Sequence, residues 1–333
     1  MASPDISVVI PVFNAAEYVA GAVSSALMQP EVREVILVED GSADSSADVC
    51  RALADQHAVV RLLQHPDRGN HGASASRNLG IRSATSPYLA LLDADDYYLE
   101  DRFSVASEIM RRRSECDGVF EAVGTRFQSD AYRRRLESQG LRMPDLSTVE
   151  QPHEGFDLFL AFAAHRTNHF LLNGLTVRTS VFDRVGLFDV NLKLSQDSEM
   201  AFRLAAKCHL VPGRLDTPVA VRRIHAGNRY WVRRSSKEWM EAFRPYAASS
   251  VAWAHENLPG RYYRLVRDHL LVTSYVGRLT GPTADAGPLG RVGLRFALAA
   301  SALTAPTVFL RRRFWKTVIP REARSAIRKI VGD

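Results

Sequence analysis

Tyr88-Leu89-Ala90-Leu91-Leu92-Asp93-Ala94-Asp95-Asp96-Tyr97 is an apolar run that ends in three carboxylates. A short, wholly apolar segment bounded upstream by Pro87 reads as a strand buried on both faces of a parallel sheet. Ligands of open α/β sheets bind beyond the carboxyl ends of such strands, where Asp93, Asp95 and Asp96 fall. Crowded carboxylates repel one another, and an oxygen-preferring divalent cation stabilises them together. The competing reading, a strand-to-helix turn with an acid capping the next helix, accounts for one of the three.

Towards the N-terminus, apolar runs and helical stripes alternate. Ile6-Ser7-Val8-Val9-Ile10-Pro11-Val12 is a buried strand, and after the turn Phe13-Asn14-Ala15 the residues Val19, Ala22, Val23, Ala26 and Leu27 follow helical spacing as far as Pro30. Val35-Ile36-Leu37-Val38 is a second strand that also runs into acids, Glu39-Asp40, then Gly41-Ser42. A helix over 45–56, a strand over 59–63, the loop 65–72 and a helix over 73–83 lead back to the opening stretch. This β-α alternation implies a parallel sheet with right-handed crossovers. Neither G-x-G-x-x-G after the first strand nor a Walker A pattern occurs, which disfavours dehydrogenases and P-loop NTPases on the same architecture.

The 333 residues, 46% of them hydrophobic, suffice for one large or two smaller domains. The net charge of +6 is unevenly spread, with arginine triplets at 111–113, 133–135 and 311–313. Such a balance suits anionic ligands or surfaces, but no zinc-finger spacing or long basic tract points to nucleic acid. Cys50, Cys116 and Cys208 imply no disulfide framework and a reducing compartment. Met1-Ala2-Ser3-Pro4-Asp5 lacks the features of a signal peptide, and Leu294 to Leu310, broken by Pro306, reads as interfacial rather than spanning.

Downstream, a helix is expected over 101–113, a strand over 119–123, a mobile Arg-rich surface excursion over 132–148 and a helix over 155–164. Residues 171–178 lead into a short helix and turn over 180–189. A further helix opens at Gln196-Asp197-Ser198-Glu199, and its stripe of Met200, Ala201, Leu204, Ala205 and Cys208 puts Asp197 on the core-facing side of the first turn. On spacing alone the preferred reading of Asp197 is an N-cap carboxylate. A strand over 218–224 ends at His225, and amphipathic, Arg-rich helices follow from about Glu238.

Taken in order, Val9-Ile10-Pro11-Val12-Phe13-Asn14, Val38-Glu39-Asp40-Gly41-Ser42-Ala43-Asp44, Gly72-Ala73-Ser74-Ala75-Ser76-Arg77-Asn78, Leu92-Asp93-Ala94-Asp95-Asp96, Val185-Gly186-Leu187-Phe188-Asp189 and Gln196-Asp197 resemble the family 2 glycosyltransferases of GT-A fold over about residues 5–230. The resemblance implies a Rossmann-like, mostly parallel sheet flanked by helices. It divides the chain into a transferase domain, 1–235, with a nucleotide-binding half 1–100 and an acceptor-binding half 101–235, and a helical basic C-terminal extension, 236–333. It further implies a nucleotide-sugar donor, a divalent Mg or Mn ion and transfer with inversion at the anomeric carbon.

In site terms, the resemblance carries the nucleotide to Pro11, Val12, Phe13, Asn14, Glu17, Asp40, Arg77, Asp93 and Ala94. Metal binding falls to Asp93, Asp95 and His225, and the general base to Asp197. The chemistry agrees, since a carboxylate accepts the N3–H of uracil or thymine and Phe13 can offer a ring face. Glu39 departs mildly from the Asp common there. Asp96 is open between metal ligand, ribose contact and helix cap. Arg77 is open between ribose or phosphate contact and a solvated helix-face charge, with Arg68 a weaker candidate. His225 is a metal-shell or diphosphate contact or a structural histidine. Arg222 and Arg223 are phosphate clamps or a basic rim, and Asn173-Gly174 faces the sugar or forms an ordinary turn.

The resulting expectation is a metal-dependent inverting transferase that moves a sugar, most readily from a UDP-sugar, to a hydroxyl of a saccharide or lipid-linked acceptor in surface polysaccharide or glycolipid synthesis. One rival, a nucleotidyltransferase, calls for a Gly- and Arg/Lys-rich signature unlike Pro11-Val12-Phe13-Asn14. Another, a non-catalytic sugar-nucleotide-binding protein, has no need of intact Asp93, Asp95 and Asp197. The expected location is cytoplasmic, peripheral on the inner face of the plasma membrane through Trp231, Arg233, Arg234 and Phe309 to Lys316, and the alternative use of that segment is a tail packed on the domain or pairing subunits. The protein is expected to co-float with anionic liposomes at low salt, and failure to do so contradicts the membrane contact.

Overall fold

The computed structural model describes residues 4–267 and 270, apart from 140, 142, 165, 229–235, 268 and 269. The chain divides into two units, Met1–Tyr230 and Trp231–Asp333. The first opens with the expected alternation: β1 (Ile6–Val12), α1 (Val19–Leu27), β2 (Val32–Glu39), α2 (Ser46–Gln56), β3 (Val60–Gln64), α3 (Ala73–Ser83) and β4 (Tyr88–Leu91). It continues through β5 (Tyr97–Tyr98), α4 (Ser104–Arg112), β6 (Gly118–Phe120), β7 (Val123–Phe127), α5 (Asp130–Ser138), β8 (Leu146–Ser147) and α6 (Gly155–Ala163). A 3₁₀ turn at Leu172–Gly174 precedes β9 (Leu175–Arg178), α7 (Val181–Val185), α8 (Gln196–Lys207), β10 (Leu210–Pro212) and β11 (Ala220–Ile224). In the second unit, α9 (Ser236–Asn257) carries Pro245 within it. Trp231, Arg233, Arg234 and the segments 294–310 and 309–316 lie outside the described residues.

Seven strands form the main sheet in the order β10-β6-β9-β4-β1-β2-β3. β1 pairs in parallel with β2 and β4, and β9 runs antiparallel to both β4 and β6. The pleat of β1 explains its helices. Ile6, Val8, Ile10 and Val12 face a core shared with Val19, Ala22, Val23 and Ala26 of α1 and Cys50 of α2. Val9 faces the other way onto α3, where a Cβ on Gly80 would lie 2.2 Å from Val9 Cγ1, so only glycine allows that approach. All three cysteines are buried thiols.

The single strand expected over 119–123 is two strands in different sheets. β6 stays in the main sheet, while β7 joins a four-stranded sheet of order β5-β11-β7-β8. The break falls at Glu121-Ala122 because the Glu121 side chain turns into a fully buried ion pair with Arg102 Nη1 at 3.0 Å. The 132–148 stretch, expected as a mobile excursion, instead contains most of α5 and all of β8. Ser129 Oγ caps α5 by accepting the Tyr132 N–H, and β8 pairs with β7.

At the N-terminal edge of the main sheet, Glu34 gathers three strands. Its Oε1 accepts the Ser7 hydroxyl at 2.6 Å and the Thr85 N–H and hydroxyl at 2.6 and 2.7 Å, while Oε2 accepts Arg61 Nη1 at 2.7 Å. Burial alone raises a carboxyl, but the bonds from Ser7, Thr85 and Arg61 outweigh it and bring Glu34 from 4.5 down to about 2. A depressed folded-state value contributes stability that is fully present above the unfolded value and is lost as pH falls towards about 2. Glu34→Gln is expected to cost about 1–3 kcal/mol at neutral pH and to flatten the acid dependence of stability over that window, as read by urea unfolding. An unchanged acid limb would exclude this role.

Candidate active site

The acid turn, residues 92–96, connects β4 of the main sheet to β5 of the second sheet, so its carboxylates stand where the two sheets meet. Its backbone continues the main sheet as far as Leu92, whose N–H reaches Val9 O at 3.1 Å. Beyond that, each acid turns to a different partner. Asp93 Oδ1 accepts Arg77 Nη2 at 2.7 Å. Asp95 Oδ2 accepts Asn228 Nδ2 at 3.0 Å and lies 3.1 Å from His225 Nε2. Asp96 is buried, and its oxygens accept the Arg223 N–H at 2.8 Å and Asn173 Nδ2 at 2.5 Å. Burial, reinforced by the charges of Asp95 and Asp93, pushes the Asp96 carboxyl well above its usual value. Of its three open readings, the geometry gives Asp96 a fourth role, a brace inside the turn.

Arg77 is 5% exposed and spans two regions of the chain. Besides Asp93 it donates through Nη1 to Asp197 Oδ1 at 3.0 Å, and its guanidinium lies 5.5 Å from the centroid of Phe188. Burial works against its charge, but Asp197 and Asp93 outweigh burial and keep it charged. The solvated-face reading is therefore wrong, and the ribose or phosphate contact meets a guanidinium already committed to two carboxylates. Next to it, Asn78 exchanges two hydrogen bonds with the Phe188 backbone, at 2.8 and 2.9 Å. Asp197 does not cap α8: the helix begins after Ser195, in left-handed conformation at φ 63°, and the Asp197 carboxylate takes Arg77. Within α8, Glu199 pairs with Arg203, whose Nη1 also donates to Val185 O and Leu187 O at 3.0 and 2.9 Å. These bonds fix the 185–189 segment against the helix that carries Asp197.

At the β1 end, Asn14 adopts φ 48° and is laced to the next loop: its N–H donates to Ser42 Oγ at 3.0 Å, and its Oδ1 accepts the Ala43 N–H at 2.8 Å. Pro11, Phe13, Asn14 and Glu17 present surface, whereas the Val12 side chain belongs to the core and Ala94 is buried, so those two offer a ligand backbone at most. Asp40 is 2% exposed; its oxygens accept the His71 and Gly72 N–H groups at 2.9 and 2.8 Å and so tie the start of α3 to the end of β2. The Asp40 carboxylate thus already has two backbone donors, though it retains lone pairs for a third. Glu39 braces the same loop. Burial raises it, but the Ser42 N–H at 2.6 Å and Gln64 Nε2 at 2.8 Å bring its carboxyl below the usual value. Gly41 is obligatory, since a Cβ there would lie 2.7–2.8 Å from the backbone of residues 68–70. Arg68, at φ 53°, belongs to that backbone wall.

Of the expected metal ligands, the structure brings Asp95 and His225 together and commits Asp93 to Arg77. Among the described residues no three His, Cys, Asp or Glu side chains converge on one point. Mg and Mn are commonly held by one or two carboxylates with waters and substrate phosphates, so the Asp95–His225 pair fits such an ion without a full protein cage. Sequence reading missed Asn228, Tyr18 and the structural use of Arg223. Tyr18 packs against His225 with centroids 4.8 Å apart and ring planes tilted by 34°, and Arg223 Nη1 donates to Asp95 O at 2.8 Å while its guanidinium lies 4.5 Å from the Tyr97 centroid. The phosphate-clamp reading of Arg223 thus gives way to one in which it anchors the acid turn. Asn228, three residues after His225, was the one legible signal.

Comparison with known proteins finds a family likeness over part of the chain. The Glycosyl transferase family 2 description matches residues 7–167. Succinoglycan biosynthesis protein ExoU of Rhizobium meliloti is 40% identical over 101 residues, 30% of this chain and 29% of that protein. Glycosyltransferase GlyG of Streptococcus pneumoniae is 38% identical over 97 residues, 29% and 32% of the two chains. EpsJ of Bacillus subtilis, an uncharacterized glycosyltransferase, is 26% identical over 220 residues, 62% and 59%. The chain thus spans less than two thirds of each of these relatives. The crystal structure of S. aureus TarS with UDP-GlcNAc superposes with a TM-score of 0.61 at 16% identity, covering 87% of this chain and 78% of that one, a likeness of fold. Residues 7–167, just under half of the chain, are thus similar to the family 2 glycosyltransferases, and the fold, a mostly parallel sheet flanked by helices, is of GT-A type.

Proposed function

We propose that the protein transfers a sugar from a nucleoside-diphosphate sugar, a UDP-sugar first of all, to a hydroxyl of a saccharide or lipid-linked acceptor in surface polysaccharide synthesis, with inversion. The observation that carries this reading is the Arg77 bridge, which holds a carboxylate of the acid turn and a separate carboxylate, Asp197, on one guanidinium. Inverting transfer needs those two functions apart: charge compensation at the leaving group and a proton acceptor on the opposite side of the anomeric carbon. The family match and the name of ExoU support polysaccharide synthesis, and the TarS complex supports a uridine donor.

In the proposed reaction, Pro11, Phe13, Asn14 and Glu17 border the base, with Asp40 behind them. Asp95 and His225 would hold Mg or Mn, which when bound supplies positive charge to the departing diphosphate. Asp197 accepts the proton of the acceptor hydroxyl as its oxygen bonds to the anomeric carbon; the anomeric C–O bond breaks and its electron pair leaves with the diphosphate. Arg77 orients Asp197 for that transfer. Peripheral contact with an anionic membrane, where a lipid-linked acceptor resides, is part of the same proposal. Among the described residues no helix is long and apolar enough to cross a membrane.

A screen of UDP, dTDP and GDP with Mn is expected to raise the melting temperature with UDP, a ligand at a hundred times Kd adding about 2.7 kcal/mol, and Mn-dependent UDP release from a UDP-sugar should accompany it. A chain stabilised by no nucleotide in the presence of Mn contradicts the reading. Asp197→Asn should keep that stabilisation yet lose about 10²–10⁴-fold in kcat, and near-normal turnover would remove Asp197 as the base.

A further inference from the structure

The deepest charged pair in the first unit lies under the acid turn and touches no part of the reaction described above. Arg102 and Glu121 are both 0% exposed at their side chains, 3.0 Å apart, and a pair so placed costs desolvation that only a full set of hydrogen bonds offsets. Two further guanidinium donors go to the 3₁₀ turn and the first residue of β9: Nε to Asn173 O at 3.2 Å and Nη2 to Leu175 O at 3.2 Å. The rings of Phe103 and Tyr98 lie 4.6 and 5.2 Å from the guanidinium carbon. Glu121 keeps the next residue in place as well, since a Cβ on Gly174 would lie 2.2 Å from Glu121 O.

What this base holds up is the side chain of Asn173, 4% exposed and pointed at the acid turn. Asn173 Oδ1 accepts the Asp93 N–H at 3.3 Å, and Nδ2 donates to Asp96 Oδ2 at 2.5 Å. The amide orientation is set by these partners: reversed, it would place oxygen against a carboxylate and NH₂ against an N–H. Asp96 in turn uses its other oxygen for the Arg223 N–H, in the strand that leads to His225. A single amide thus spans the two ends of Asp93-Ala94-Asp95-Asp96 and fixes the direction in which Asp95 leaves the backbone.

We infer that Asn173, seated on the buried Arg102–Glu121 pair, is a positioning residue that sets the geometry of the acid turn for metal–diphosphate binding. The inference rests on the transferase reading above and deepens it, adding a residue that acts through its bonds to Asp93 and Asp96. Asn173→Asp is nearly isosteric: it keeps the acceptor for the Asp93 N–H but sets a carboxylate against Asp96. Exchanging the two groups, Asn173→Asp with Asp96→Asn, restores a carboxylate–amide pair: the side-chain bond between them reverses, while the Asp93 and Arg223 N–H groups still find an acceptor oxygen on each side chain.

On the full 333-residue chain, the readouts are the UDP concentration giving half-maximal Mn-dependent thermal stabilisation and the melting temperature without ligand. Asn173→Asp is expected to weaken the Mn–UDP response about 10–100-fold, and the double exchange to recover most of that loss. A merely structural role would move the ligand-free melting temperature and leave the Mn–UDP response alone. The inference is overturned by an Asn173→Asp chain that responds to Mn–UDP as wild type does. It is overturned equally by a double exchange that regains ligand-free stability but not the response, because the Asp96 charge, not the turn geometry, would then be the requirement. A wild-type chain that responds to none of UDP, dTDP or GDP with Mn removes the transferase reading itself, and this inference with it.

Discussion

One buried guanidinium is the constraint on which the site depends. Arg77 leaves α3 with 5% exposure and meets Asp93 from the acid turn and Asp197 from α8. Two carboxylates so placed repel without a cation between them, and a buried arginine without them is strongly disfavoured. Each group therefore requires the others, and the 120 residues separating Arg77 from Asp197 in sequence are closed by that requirement. The neighbouring Asn78, gripping the Phe188 backbone, and the Glu199–Arg203 pair, gripping Val185 and Leu187, make the same junction with neutral and charged bonds.

A second layer of support comes from the meeting of the two sheets. The acid turn is a five-residue bridge between them, and the break in the chain at Glu121-Ala122 is the other bridge. Arg102 and Glu121 fill the space between, and Asn173 carries their rigidity to the acids. β11 and the residue that follows it then deliver Arg223 and His225. Being two residues apart, they project to the same side, one holding the Asp95 backbone and the other its carboxylate. Asp95 and His225 are thereby left side by side at the surface of the cluster while Asp96 is sealed within it.

Local rules are broken where the site is built. Among the described residues the non-glycine positions with positive φ are Asn14, Arg68, Asp101 and Ser195. Asn14 and Arg68 belong to the loops after β1 and β3, and Ser195 sets the start of the helix bearing Asp197. Such conformations cost about 1–3 kcal/mol each and persist only where surroundings over-determine them. At Asn14 the surroundings are visible as the bonds to Ser42 and Ala43, and at Ser195 as the helix that follows.

The sequence by itself determined the β-α order through β4, the ends of α3, the acids at the end of β4 and the placing of Asp197 in a first turn, because apolar period and strand-end chemistry are local properties. It also pointed to Asp95 and His225, although their pairing across 130 residues was not legible. Only the tertiary structure decided which acid does what. Asp93, Asp95 and Asp96 are chemically alike in the chain, and their roles diverge because Arg77, His225 with Asn228, and Asn173 with the Arg223 N–H approach from different elements. The second sheet escaped sequence reading because β5 and β8 are two residues long, too short for a period, and because Glu121 looked like one more residue in an apolar strand until Arg102 was found beside it. Partner identity is a long-range property, and a buried charge acquires its role only from the partner that folding brings to it.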